Sequence, residues 1–168
     1  MDLDPLNAES WVYRGEIEYL VGQLDQAAAD CKKGLELNPD WWNGPMLLSK
    51  IYLMQGRPLD ALPEIERIHL PLFPAYLHAL TYHALGREKD SDAALRELLM
   101  KYPRSSAYSI AMVYAFRNQT DKAFEWLDRA YVKHDPSLMM ATKVDPLLMS
   151  LHNDPRFAAF LKKLNLPN

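Results

Sequence analysis

The sequence of 168 residues predicts an all-α fold, a right-handed α-solenoid of stacked helical hairpins with a C-terminal capping segment. The first observation is a set of marker residues that recur at spacings of 34, 30 and 32 residues: Gly22, Gly56, Gly86 and Asn118. The second observation is that a small residue lies seven positions before each marker and another lies five positions after it. These are Gly15, Ser49, Ala79 and Ala111, and then Ala27, Ala61, Ser91 and Ala123. Small residues where two helices touch, repeated about every 34 residues, are typical of helical-hairpin arrays.

The composition excludes several classes of protein. Apolar residues make up 49% of the chain, and no run approaches the roughly 20 apolar residues of a membrane-spanning helix. The net charge is -3 with the two signs interspersed, whereas nucleic-acid binders usually carry a basic face. The single cysteine, Cys31, excludes an intrachain disulfide and fits a reduced setting. We therefore expect a cytoplasmic protein whose partners are proteins or peptides rather than nucleic acids or membranes.

The chain divides into successive units. Residues 1–7 read as the end of a preceding repeat, because Leu3-Asp4-Pro5 resembles Leu37-Asn38-Pro39, and we expect this chain to be the C-terminal piece of a longer protein. Four hairpin units follow, over residues 8–41, 42–71, 72–103 and 104–137, and then capping helices over residues 138–168. In each unit the marker residue is expected to end the first helix in a left-handed conformation. A proline after the second helix is expected to end it, because proline cannot continue the hydrogen-bond ladder.

The second unit is irregular, because it is shortened and rich in proline. Pro58, Pro63, Pro71 and Pro74 crowd its second helix. A proline inside a helix costs about 3 kcal/mol, so this helix is expected to be short and to start late, near Pro63. We also expect a local change in superhelical curvature over residues 57–75.

The repeat pattern ends after the fourth unit, and two Asp-Pro pairs remain. In both Asp145-Pro146 and Asp154-Pro155 an N-capping residue precedes a proline at the first helical position. They predict a short helix over residues 147–151 and a final amphipathic helix over residues 157–161. A solenoid needs an atypical end unit to cover its last apolar face, and these helices are expected to form it.

The pattern resembles the tetratricopeptide repeat (TPR), in which the first helix carries Trp, a small residue and Tyr, and the second carries Ala, a large residue and Ala before a Pro. The first unit matches at Trp11, Gly15, Gly22, Ala27 and Pro39, and the second at Ser49, Tyr52, Gly56, Ala61 and Ile65. The third matches at Ala75, Ala79, Tyr82, Gly86, Leu95, Leu98 and Pro103, and the fourth at Ala107, Ala111, Tyr114, Ala123, Leu127 and Ala130. In the first unit Glu18 replaces the tyrosine, and Arg14 and Gly34 replace apolar or alanine positions. The resemblance implies a protein-interaction or scaffold module that is not itself an enzyme.

The C-terminal third is similar to the C-terminal TPR region of bacterial multidomain signalling proteins of the adenylate or guanylate cyclase or winged-helix regulator type. The similarity lies in residues 121–127, 143–148 and 154–157. It implies a scaffold in a larger bacterial regulatory protein. Two alternatives stay open. The chain is a regulatory domain that acts on the catalytic domain of its own nucleotide cyclase, or an oligomerisation module that forms a homodimer through an open N-terminal face around Trp11 and Tyr13.

The resemblance also implies a concave groove, lined by the first helix of each unit, that binds a peptide or a partner domain. The candidate residues are Tyr19, Leu20, Met46, Lys50, Met54, Tyr76, Leu80, His83, Tyr108, Met112 and Phe116. Aromatic and methionine side chains suit an adaptable apolar surface. The other interpretation is that several of them pack against the neighbouring helix or the C-terminal cap. The carboxylate clamp of some TPR proteins is not expected, because Val12 and Glu16 stand where it needs Lys and Asn.

No catalytic, cofactor or metal site is predicted. The six glycines are spread through hairpin turns and do not form a phosphate-binding loop. The five histidines lack metal-ligand spacing; the closest pair, His78 and His83, do not share a helical face. Cys31 occupies a core position of a second helix, which predicts a buried, unreactive thiol.

Overall fold

The protein is an array of helical hairpins in the computed structural model, which describes residues 7–102, 106–135, 137–138 and 142–166. The helices are α1 (Ala8–Leu20), α2 (Leu24–Leu37), α3 (Gly44–Met54), α4 (Pro58–Ile65), α5 (Leu72–Ala84), α6 (Glu88–Lys101), α7 (Ala107–Phe116), α8 (Thr120–Val132), the 3₁₀ helix η1 (Pro146–Leu151) and α9 (Pro155–Lys163). Each odd-numbered helix from α1 to α7 packs against the next helix, and consecutive hairpins contact each other. No strand occurs in the described residues. The predicted class, an all-α solenoid of helical hairpins, is confirmed.

The four marker residues end the first helix of each hairpin as predicted. Gly22, Gly56 and Gly86 have φ angles of 79°, 70° and 70°, and Asn118 has a φ of 56°. After each marker, the next backbone N–H donates to a carbonyl five residues earlier, as Gln23 does to Glu18 at 2.8 Å. This is the left-handed helix ending that glycine adopts without steric cost and asparagine tolerates.

The second hairpin differs from the expectation for its second helix. Helix α4 is short, as predicted, but it begins at Pro58, and the predicted start near Pro63 is wrong. Pro58 suits the first helical position, where a backbone N–H has no partner inside the helix. Pro63 lies inside the helix and removes one hydrogen bond, while Ala61 and Ile65 on the same helix are buried in the core. The expected change in curvature over residues 57–75 stays a prediction.

The small residues lie where the two helices of a hairpin touch. Ala27, Ala61 and Ala123 are fully buried. A Cβ atom added to Gly15 would lie 3.0 Å from the carbonyl oxygen of Ala27, so α1 and α2 are too close there for a side chain. Small residues at these positions therefore allow the two helices to approach closely, as the repeat pattern predicts.

The unusual residues of the first unit form a polar cluster between α1 and α2. The Arg14 guanidinium donates to both carboxylate oxygens of buried Asp30 and lies 4.4 Å from the Trp11 ring centre. The Glu18 carboxylate is 3.7 Å from Arg14. Burial, followed by the negative charge of Asp30, raises the pKa of Glu18. An ion pair thus joins α1 to α2 in the first hairpin.

The capping segment begins its helices at the predicted N-caps. Asp145 accepts a hydrogen bond from the Leu147 N–H at 3.0 Å, and Asp154 accepts one from the Arg156 N–H at 2.9 Å. These caps confirm the two predicted helix starts.

The capping segment also continues the spacing of the repeats. Contacts join residue pairs 35 positions apart: Arg156 with Asp121, Lys163 with Asp128, and the Ser150 hydroxyl with the Ala115 carbonyl. Helix α9 therefore runs beside α8, and η1 lies beside α7. The segment occupies the place of a fifth hairpin, although the sequence pattern stops before it. Among the described residues, the element of this segment that lies beside α7 is the 3₁₀ helix that begins at Pro146.

Candidate binding groove

The eleven predicted groove residues lie on α1, α3, α5 and α7, which are neighbours in the array. We call the surface they form the groove. Five of its side chains are buried, namely Tyr19, Tyr76, Leu80, Tyr108 and Met112. The other six are partly exposed, namely Leu20, Met46, Lys50, Met54, His83 and Phe116. The four helices that carry the predicted residues are thus neighbours, and five of the eleven side chains are covered.

The part of the chain that covers the groove includes residues 142–151, which we call the inserted segment. Its side chain of most interest is Asp145. The Tyr19 hydroxyl donates to Asp145 Oδ1 at 3.4 Å. The Lys50 ammonium lies 3.7 Å from Asp145 Oδ2 and 4.9 Å from the centre of the Tyr19 ring. Both charged side chains are largely removed from water, with exposed fractions of 14% for Lys50 and 3% for Asp145. A buried carboxylate from the C-terminal part of the chain is therefore held by residues of the first two hairpins.

The three groove tyrosines lie within the electrostatic influence of this carboxylate and stay neutral. Burial raises the pKa of Tyr19, Tyr76 and Tyr108 well above the usual range, and the negative charge of Asp145 raises it further. Neutral phenols can donate hydrogen bonds to an anion without adding charge. The centre of the groove is therefore an apolar, aromatic environment with one cation, suited to a single carboxylate.

The inserted segment is held at its other end by α7. The Ser150 hydroxyl donates to the Ala115 carbonyl at 2.7 Å, and η1 packs along α7. Its Leu147, Leu148 and Leu151 side chains are buried. The segment thus combines one buried anion with several leucines, which is the composition of an amphipathic ligand.

The partly exposed groove residues form the margin of the covered region. His83 and Phe116 pack edge to face with ring centres 6.0 Å apart, and His83 Nδ1 lies 3.0 Å from Glu88. Leu20, Met46 and Met54 pack against the core with part of their surface in water.

Comparison with known families adds one finding. Residues 8–41 match the tetratricopeptide repeat. This is the range of α1, α2 and the turn after them, and with the helical array it supports a TPR domain. No curated protein matches the chain. TPR repeats are generally protein–protein interaction modules and are typically not catalytic.

The role of Asp145 in the groove cannot be predicted from the sequence, in which the residue is visible only as a helix cap. The one signal available was Lys50, the single cation among the predicted groove positions, which needs an anionic partner if it is buried. Nothing local shows that the partner comes from beyond the fourth repeat.

Other chemistry in the described residues is limited. Cys31 is buried as predicted, and its Sγ lies 3.2 Å from the Gly44 carbonyl oxygen. Burial raises the pKa of Cys31 to about 12, so the thiol stays protonated at neutral pH. Within the ranges described, no group of three or more His, Cys, Asp or Glu side chains has the geometry to hold a metal ion. In the same ranges no helix is long and apolar enough to cross a bilayer.

Proposed function

We propose that this TPR domain binds a segment of a partner protein in the groove. The supporting observation is that the groove already holds a segment of polypeptide, with a carboxylate seated between Tyr19 and Lys50. In this state the chain supplies the ligand itself. A partner segment therefore competes with residues 142–151 for the same residues.

The groove residues would have distinct roles in this binding. Lys50 would pair with an acidic residue of the partner, and the buried tyrosines would pack against the apolar residues beside it. Met46 and Met54 lie at the margin, where flexible thioether side chains adapt to different ligands. Aromatic anchors in a desolvated centre are the usual source of binding energy at such interfaces.

We also propose that the domain belongs to a larger bacterial regulatory protein, on the resemblance of residues 121–127, 143–148 and 154–157. In the alternative, a nucleotide cyclase, the groove would bind a segment of the catalytic domain. The native gene upstream of Met1 distinguishes these two proposals. An open reading frame that encodes a cyclase domain would favour the alternative.

A peptide with the sequence of residues 142–151 tests the groove, by fluorescence anisotropy. The full chain should not bind it, because its groove is occupied. In an Asp145→Lys chain, repulsion between Lys50 and the introduced lysine should displace the inserted segment and leave the Lys50 ammonium free. This chain should therefore bind the peptide. A peptide that carries Lys in place of Asp145 is the matched control and should not bind.

A second variant makes the result specific. Lys50→Glu added to Asp145→Lys restores an opposite-charge pair, so the groove should close again and lose the peptide. Circular dichroism establishes that each variant is folded. If the folded Asp145→Lys chain binds neither peptide, the groove is a structural contact and the proposed function is wrong.

A further inference from the structure

The carboxylate of Asp145 makes contacts inside its own segment as well as with the groove. Its Oδ1 accepts hydrogen bonds from the Leu147 N–H at 3.0 Å and from the Tyr19 hydroxyl at 3.4 Å. Its Oδ2 lies 3.7 Å from the Lys50 ammonium. A side chain that caps a helical turn in this way is short, as in Asp, Asn, Ser or Thr. The groove therefore holds a carboxylate that is at the same time a helix N-cap.

The residues after Asp145 form a helical turn that is buried along most of its length. Pro146 occupies the first helical position, and the Leu148 N–H donates to the Asp145 carbonyl at 2.9 Å. The side chains of Leu147, Leu148 and Leu151 are buried. In a strand laid on a surface, alternate side chains face away from it, whereas here two neighbouring leucines are both buried. The segment therefore occupies its place as a turn and not as an extended chain.

The carboxylate that the groove holds belongs to an internal residue. The chain is buried on both sides of Asp145, at Thr142 three residues before it and at Leu151 six residues after it. Lys50 faces this one carboxylate, so a second acidic residue at the centre of the groove would be buried without a cation. The arrangement thus suits a ligand with a single internal aspartate and apolar residues after it.

Two groove tyrosines differ in what they contribute to this contact. The Tyr19 hydroxyl donates to Asp145, whereas the buried Tyr108 hydroxyl makes no hydrogen bond of normal geometry within the described residues. Tyr108 lies beside Thr142, whose own hydroxyl donates to the Leu138 carbonyl. The position of the carboxylate is therefore fixed by a hydrogen bond from Tyr19, while Tyr108 contributes its ring.

We propose that the partner segment bound in the groove is an internal helical turn that begins with an aspartate and carries apolar residues at the second, third and sixth positions after it. The aspartate caps the turn with one carboxylate oxygen and faces Lys50 with the other, so one side chain sets both the charge and the conformation of the ligand. Extended acidic peptides and C-terminal carboxylates lack this combination and are not ligands. The inference rests on the proposed function and specifies its ligand.

Variants of the 142–151 peptide, blocked at both ends, test this ligand class against the Asp145→Lys chain by fluorescence anisotropy. In the peptide, Asp145→Asn keeps a capping oxygen but removes the charge, and should weaken binding at least about 30-fold. Asp145→Glu keeps the charge but displaces the cap, and should weaken binding at least about 5-fold. Met149→Gln is the matched control and should not change binding, because the Met149 side chain is 57% exposed. An Asp145→Asn peptide with a free C-terminal carboxylate should bind no better than its blocked form.

Variants of the chain test the same contact from the side of the groove. In the Asp145→Lys chain, Tyr19→Phe should weaken binding of the unsubstituted peptide about 3-fold, because it removes the hydrogen bond to the carboxylate. Tyr108→Phe is the matched control and should leave binding unchanged, because the ring stays. In the full chain without the lysine, Asp145→Glu should speed amide hydrogen exchange of residues 146–151 about 5-fold, although the charge is kept. A contact that depends on charge alone would leave this exchange unchanged.

The outcomes distinguish this inference from the proposed function. If the unsubstituted peptide does not bind the folded Asp145→Lys chain, the groove does not bind segments and the ligand class is overturned with it. If the unsubstituted and Asp145→Glu peptides bind equally, binding in the groove stands and the ligand class is wrong. Equal effects of Tyr19→Phe and Tyr108→Phe would also overturn the inference, because the position of the carboxylate would then not matter.

Discussion

The Tyr19 hydroxyl donates a hydrogen bond to the Asp145 carboxylate at 3.4 Å, although the two residues are 126 positions apart in the chain. Contacts in a solenoid usually join neighbouring units, and stability is then close to a sum over units and their interfaces. Here the inserted segment contacts both the first hairpin, through Tyr19, and α7, through Ser150. The first hairpin and the C-terminal cap are therefore expected to unfold together.

Replacing Asp145 should be costly for stability. Asp145→Ala removes the cap of η1 and leaves the Lys50 ammonium largely buried without its anion, so the free energy of unfolding should fall by about 3 kcal/mol. Urea denaturation measures it. Asp154→Ala is the matched control, because Asp154 also caps a helix but lies near the surface, and its loss should be clearly smaller. Equal losses would mean that Tyr19 and Lys50 contribute nothing to the stability of the inserted segment.

The features that the sequence predicts well are those with a local cause. A left-handed residue must follow each first helix, so Gly22 and its equivalents are visible as a period. The Asp-Pro pairs likewise mark helix starts from two adjacent residues, without reference to the rest of the fold. Such requirements can be read before any tertiary contact is known.

The features that the sequence does not predict depend on tertiary packing. The cost of Pro63 inside α4 predicts a later helix start, but the burial of Ala61, which precedes Pro63, favours the earlier one. The position of Asp145 depends on the path of the chain beyond α8, which no local pattern specifies. The TPR resemblance could thus place Tyr76 and Tyr108 on one face, but not decide whether that face is open or filled.

The left-handed turns should respond differently to two matched substitutions. Gly56 has a φ of 70° and no atom within 4 Å of an added Cβ, so Gly56→Ala costs only conformational strain. The expected loss of unfolding free energy is roughly 1–2 kcal/mol. Asn118→Gly at the equivalent turn relieves backbone strain in the folded state but raises the conformational entropy of the unfolded chain. These effects oppose each other, so the free energy of unfolding should change by no more than about 0.5 kcal/mol. Urea denaturation of both variants checks this, and a neutral Gly56→Ala would contradict it.

Alkaline pH should unfold the protein through its buried tyrosines. The pKa of these tyrosines is higher in the folded state than in the unfolded state. The free energy of unfolding is therefore unaffected below the pKa of the unfolded state, about 10, and falls as the pH rises toward the pKa of the folded state. The slope should be about 1.4 kcal/mol per pH unit for each of Tyr19, Tyr76 and Tyr108. Tyr76→Phe removes one of these ionisable groups, so the fall in unfolding free energy with pH should be less steep by the contribution of one tyrosine. Absorbance at 295 nm and circular dichroism should change together. Ionisation of all the tyrosines before the loss of helix would contradict the prediction.

Tyr108 provides the sharpest test of the groove, because it is aromatic, central and largely buried. Hot spots favour large, rigid and well-desolvated side chains, so Tyr108→Ala in the Asp145→Lys background should weaken binding of the 142–151 peptide by roughly 1–3 kcal/mol. The substitution also removes a buried ring and should cost roughly 3 kcal/mol of stability.

Leu98→Ala controls for that loss of stability. Leu98 is fully buried on α6, outside the set of groove residues, so its truncation should destabilise the fold comparably and leave peptide affinity unchanged. Glu9→Ala, at the rim of the first unit, should also change affinity little. Binding is measured at a temperature where circular dichroism shows all variants folded. If Tyr108→Ala binds normally while a substitution on α6 such as Glu97→Lys abolishes binding, the partner surface lies on the second helices, and the groove serves only to hold the chain's own C-terminal segment.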